Sequence, residues 1–100
     1  MTKRTRDWNE DLAEDLKDPV FAAEFLMAAI EEGISLQVAL RKVIRLYGVK
    51  EFAEKVHMQS PNVLRAIDKR HNPTQETLDR LLQPFGLRLA VQQIEEKLAA

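Results

Sequence analysis

The sequence has no cysteine, which excludes disulfide frameworks, thiolate zinc sites and cysteine nucleophiles together. No stretch approaches the roughly 18 to 20 unbroken apolar residues of a membrane span, and the first residues lack the apolar run of a signal peptide. A cytoplasmic protein is expected. Glycine is scarce, at three residues in 100. The many acids have no glycine-rich loop, nucleophile motif or apolar pocket around them that would turn a carboxylate pair to catalysis. The two histidines, His57 and His71, lack the paired spacing of a metal site. Neither an enzyme nor a cofactor is expected, and the chain has no internal repeat or low-complexity tract.

What is present is a chain that is 45% hydrophobic, long enough for one domain with a modest core. Its net charge of −1 conceals a segregation. Lys3, Arg4 and Arg6 make residues 1–6 basic. Residues 7–32 carry nine acids against Lys17 alone, a balance of −8. Residues 41–71 carry eight bases against Glu51, Glu54 and Asp68, a balance of +5. Phosphate contacts require a local basic face rather than a basic protein, so the whole-chain charge does not argue against nucleic acid. The acidic block fits either a basic partner or a solvated helix face.

Periodicity divides the chain into helices. Residues 1–6 read as a disordered tail. Trp8, Leu12 and Leu16 recur every four residues on a short helix opened by Asn9, a narrow stripe that either docks on the domain or awaits a partner. Asp18-Pro19 starts a helix whose Phe21, Phe25, Leu26, Ala29 and Ile30 form an apolar face ending at Glu31-Glu32-Gly33. Ser35 caps the next, with Leu36, Ala39, Leu40, Val43, Ile44 and Tyr47 inward and Gly48 at its end. Thr74 caps another, with Leu78, Leu81, Leu82 and Phe85 inward, stopped by Pro84 and Gly86. Residues 87–91 alternate as a strand does, and a lone strand needs a pairing partner, most economically a second copy of the chain. Residues 92–100 extend it or turn helical.

The region from 49 to 70 organises the rest. Phe52, Ala53 and Val56 share one helix face, Val63, Ala66 and Ile67 share another, and Met58 plugs the corner between them. Ala53 provides the small side chain that two steeply crossing helices require. One of Gln59, Ser60 and Pro61 opens the second helix. Outward lie short polar groups and cations, the chemistry of a helix that reads the DNA major groove. Gln59, Ser60, Asn62, Arg65, Lys69, Arg70 and Lys50 are the candidate DNA contacts. Arg65 has a second reading, an ion pair with Asp68 three residues on.

These residues resemble the helix-turn-helix of phage-repressor, Xre-like proteins, with Ala53 at its fifth position, Phe52, Val56 and Met58 at its hydrophobic ones and Val63 at its fifteenth. His57 replaces the usual glycine, so the corner either changes shape or holds His57 left-handed. Over nearly the whole chain, the runs DPVFAAEFLMAAIEEG, ALRKVIRLYGVKEFAEKVHMQSPNVLRAI and NPTQETLDRLLQPFGLRL resemble type II antitoxins of the HigA-like class, the antidotes of addiction modules. The resemblance implies an all-α, five-helix, lambda-repressor-like domain over residues 18–86, with an N-terminal arm at 1–17 and a strand or tail at 87–100. It also implies a cytoplasmic homodimer that neutralises a small RelE/ParE-like toxin and represses its own operon by binding operator DNA. The His57 replacement and the Pro84 interruption would weaken operator binding. A stand-alone repressor would have no use for the acidic arm, and a pure protein-interaction module would have none for the basic face.

Toxins that cut messenger RNA are generally basic, so carboxylates that steer the encounter and apolar anchors that hold it are both required. Trp8, Leu12 and Leu16 are the expected anchors, with Asp11 and Asp15 beside them. Trp8 packed on this chain's own helices is the alternative. Leu87, Leu89 and Val91 are the expected dimerisation residues, and their pairing would present two recognition helices to one palindrome.

Overall fold

Short polar residues mark where the helices begin. The computed structural model describes residues 10–94, and in it residues 10–15 are helical. Asp18 then caps α1, Pro19–Glu31, its carboxylate accepting the Val20 N–H at 3.0 Å, with Pro19 in the first turn where no donor is missed. Ser35 Oγ accepts the Val38 N–H at the start of α2, Leu36–Tyr47. Gly48, at φ 111°, turns the chain into α3, Val49–Lys55, and α4 follows as Ser60–Ala66. Thr74 caps α5, Gln75–Leu82, which tightens into a single 3-10 turn, Gln83–Phe85, where Pro84 interrupts the helix. All regular structure among the described residues is helical.

Three of these ends use one device. After α1, the Ile34 N–H reaches back to the Ala29 carbonyl and the Gly33 N–H to that of Ile30. After α3, Met58 and His57 do the same to Ala53 and Glu54, and after the 3-10 turn Leu87 and Gly86 do so to Leu82 and Gln83. Such a close requires one left-handed residue, and an apolar one often follows it, as Ile34, Met58 and Leu87 do here. Gly33 and Gly86 provide the left-handed residue at two ends, and His57, at φ 58°, provides it at the third. The corner between α3 and α4 thus keeps its shape at the cost of a strained histidine.

One cluster of buried residues draws on every helix. Phe52 of α3 lies at its centre, edge-on to Tyr47 with centroids 5.6 Å apart and stacked on Phe85 at 5.8 Å. Leu26, Leu40, Val43, Ile44, Val63, Ile67 and Leu81 belong to the same cluster, all fully buried. Leu16 joins them at 0% exposure, and Leu12 packs half-buried on the same core. The stripe expected to face a partner is therefore used by the domain itself, while Trp8 lies outside the described residues.

Two further expectations are corrected. α1 meets the core through Ala22 and Leu26, with Phe21, Phe25 and Ala29 only half-buried, and Ile30 is exposed. The C-terminal segment forms no strand among the described residues. Its alternation is satisfied within the chain, since Leu87 and Leu89 pack against the core and the Leu89 N–H donates to Asp79 Oδ1 at 2.7 Å. Of the three expected dimerisation side chains only Val91, at 99% exposure, is free.

Candidate nucleic-acid interface

The corner sets two seven-residue helices against each other. Phe52, Ala53, Val56, Val63, Ala66 and Ile67 are all buried, as their spacing predicts, and this fixes which side of α4 remains outside. Gln59 stands at the cap position, but its side chain caps no backbone N–H. Its carbonyl instead accepts the Asn62 and Val63 N–H groups at 2.9 and 3.1 Å. The Gln59 side chain is thus left exposed at the start of the helix.

A groove of about 610 Å³ runs along this outer side. His57, Gln59, Asn62 and Arg65 line one wall, and His71, Asn72, Thr74, Thr77 and Arg80 line the other, with Met58 and Ala66 between. No carboxylate lines it, and neither Arg65 nor Arg80 has an ion-pair partner among the described residues. Hydroxyls, amides and two guanidinium groups outside any ion pair can take up phosphate oxygens or the acceptor edges of bases.

Of the seven residues expected here, Gln59, Asn62 and Arg65 come together in the groove. Ser60 is half-buried, and Lys50 and Lys69 are exposed but lie outside the lining. The other wall was not foreseen. Arg80 has a readable signal, since it lies on the side of α5 away from Leu78, Leu81 and Leu82. His71, Asn72 and Thr77 have none, because only the folding of the loop after α4 brings them opposite Asn62.

Arg70 is engaged elsewhere. Its guanidinium grips Asp68 with Nη2 2.8 Å from Oδ2 and Nε 3.2 Å from Oδ1, while its backbone N–H donates to Oδ1 at 2.9 Å. The side-chain and then the backbone hydrogen bonds from Arg70 hold the Asp68 carboxyl well below the usual carboxylate range, with His71 Nδ1 4.0 Å away adding slightly. The Arg65–Asp68 pair therefore does not form; Arg70 takes the carboxylate and leaves Arg65 unneutralised.

The acidic arm divides likewise. Asp11 and Asp15 are exposed, whereas Leu16 is core. The apolar surface lies further on, along one side of α1, where Val20, Met27 and Ile30 are exposed by 67%, 52% and 44% and Ile34 continues past the helix end. Glu24 and Glu31, both exposed, are the only charged residues of α1. No family model, curated protein or solved structure matches the chain.

Proposed function

We propose that this chain binds operator DNA through a helix-turn-helix formed by α3 and α4 and, as an antitoxin, neutralises a basic RelE/ParE-like toxin through its acidic N-terminal part. The observation that carries the DNA reading is the groove beside α4, lined by no carboxylate, in which Arg65 and Arg80 stand beside amides and hydroxyls without an ion pair among the described residues. Arg65 reads a guanine edge, Gln59 and Asn62 offer amides to neighbouring bases, and Arg80, Thr77 and Lys69 hold phosphates. Arg70, tied to Asp68, is withdrawn from the direct contacts.

The exposed side of α1 supports the protein-partner half over a stand-alone repressor. Val20, Met27 and Ile30 with Glu24 and Glu31 beside them have the pattern of an interface, apolar anchors with a charged edge, and the carboxylates suit a basic partner. Asp11 and Asp15 extend that charge. The anchors are thereby assigned to α1 in place of Leu12 and Leu16. A homodimer reading two half-sites about 34 Å apart belongs to the same proposal, with Val91 and Ile94 as the exposed apolar side chains left for it in the C-terminal segment.

Fluorescence anisotropy on the duplex upstream of the chain's own reading frame tests the reading. Arg65→Ala is expected to cost about 1 to 3 kcal/mol of specific binding and to relax preference at one base pair per half-site. Lys69→Ala is expected to weaken all duplexes alike and to lower the salt slope by about one unit. If both variants bind as tightly as the parent, α4 does not face DNA.

A further inference from the structure

Two side chains of α2 hold the far end of α4. Gln37 Nε2 donates to the carbonyls of Ala66, Asp68 and His71 at 2.7, 3.0 and 3.1 Å. One turn along α2, Arg41 Nε donates to the Ile67 carbonyl at 2.8 Å. The last carbonyls of a helix have no partner within it. Here they and the loop that follows are taken up by one amide and one guanidinium, four residues apart on the same side of another helix.

The arrangement exceeds what packing requires. Val63, Ala66 and Ile67 already anchor α4 in the core, and apolar contacts resist separation of two helices far better than they resist sliding or rotation about the helix axis. Directional hydrogen bonds supply that restraint. α4 needs it, because seven residues without a side-chain N-cap have little persistence of their own. The Gln37 amide has two hydrogens for three carbonyls, so at least one is shared, and the amide can follow the loop only within a narrow range. The cation of Arg41 at the helix C-terminus opposes the negative end of its dipole. Arg41 Nη2 is buried without a hydrogen-bond partner, so the guanidinium is not placed to satisfy its own donors best.

The carbonyls held in this way, of Ala66, Ile67, Asp68 and His71, lie along the stretch that joins Arg65 on one wall of the groove to His71 and Asn72 on the other. We infer that Gln37 and Arg41 are positioning residues for DNA recognition: by fastening residues 66–71 to α2 they set the rotation of α4 and the width of the groove, so that Arg65 and the second wall meet the same duplex in register. Neither residue touches DNA. The inference rests on the proposed DNA reading. Its signature is a loss of discrimination, because base contacts depend on the angle of α4 while non-specific phosphate contacts tolerate small rotations.

The test compares affinity for the upstream duplex with affinity for a scrambled duplex of equal length and composition. Gln37→Met keeps the side-chain length and removes the donor. It is expected to reduce the ratio of the two affinities about tenfold, the scale of one misplaced base contact, with scrambled-duplex binding little changed. Gln37→Glu, which turns a carboxylate on the same carbonyls, is expected to reduce it further. Arg41→Met is expected to lower the ratio and Arg41→Lys, which restores a charged donor, to recover most of it. If a Gln37 variant does not fold at the assay temperature, the Arg41 pair carries the comparison. A parent that does not prefer its upstream duplex overturns the DNA reading itself. A parent that prefers it, with variants whose ratio is unchanged or whose two affinities fall together, overturns the positioning role and leaves the DNA reading standing.

Discussion

α1 and α4 bury similar faces and present opposite ones. Each contributes small and branched apolar side chains to the same core, Ala22 and Leu26 from α1 and Val63 and Ala66 from α4. Outward, α4 carries Asn62 and Arg65 and stands beside Arg80, with no acid in the groove between them. α1 carries Val20, Met27 and Ile30, with Glu24 and Glu31 as its only charges. What a helix buries follows from the fold. What it leaves outside, at some cost in solubility or repulsion, is the better guide to a partner. The difference is what supports the proposal that α4 meets a polyanion and α1 a basic protein surface.

The largest effect expected is one that destroys both faces together. Phe52 joins α3 to Tyr47 and Phe85, so Phe52→Ala should cost about 3 to 5 kcal/mol in denaturant unfolding. A loss below about 1 kcal/mol would mean that the two helices do not share this core. Next, Arg80→Ala removes a cation from one side of the comparison only. It should weaken DNA binding by about 1 to 2 kcal/mol with no change in melting temperature, and equal weakening by Glu24→Gln would erase the distinction between the two faces.

Acid should destabilise the fold through the Asp68–Arg70 pair. Asp68 has its carboxyl held below the usual range by Arg70, so the folded form binds its proton less readily than the unfolded form. Stability from this pair is full above the unfolded carboxylate pKa, about 4, and is lost as pH falls below it. Asp68→Asn should flatten the fall in melting temperature between about pH 5 and pH 2, and an unchanged slope would assign the acid sensitivity to other carboxylates.

Smaller still is His57→Gly. Relief of the left-handed strain is partly offset by the greater freedom of an unfolded glycine, leaving a net gain of up to about 1 kcal/mol in thermal melts. A loss would show that the imidazole contributes more than the strain costs. Smallest is the pair Val20→Ser with Met27→Gln, expected to stay within about 0.5 kcal/mol of the parent in stability and to leave DNA affinity unchanged. A fall of several degrees in melting temperature would mean that this side of α1 is packed.

Local chemistry was legible wherever it acts over a few residues. Asp18, Ser35 and Thr74 cap as their types and places imply, Gly33, Gly48 and Gly86 stand at helix ends, and the corner of α3 and α4 buries the six residues its spacing selects. His57 takes one of the two conformations the sequence allows it. Failure came where periodicity was read without knowing what lay opposite. The stripe of Leu12 and Leu16 looked too thin for a core because the core it joins is built by distant residues. The alternation of residues 87–91 was real, but a single inward row packing on a helical body has the same period as a strand. On α1, nearly every position is apolar, so no sequence period could select the inner face, and contacts with α2 selected it instead. In the groove, Gln59, Asn62 and Arg65 were legible because they share one helix. His71 and Asn72 were not, because they come to the groove through the loop whose carbonyls Gln37 holds, a contact across 29 to 34 positions of sequence.

The central claim, that the groove beside α4 receives DNA and α1 does not, is tested most directly by titrating the ¹⁵N-labelled chain with its upstream duplex and following backbone amide shifts. The account predicts perturbations concentrated at residues 57–65 and 71–80, with Val20, Met27 and Ile30 unmoved. Shifts centred on α1, or none at a duplex concentration that saturates the anisotropy signal, would contradict it.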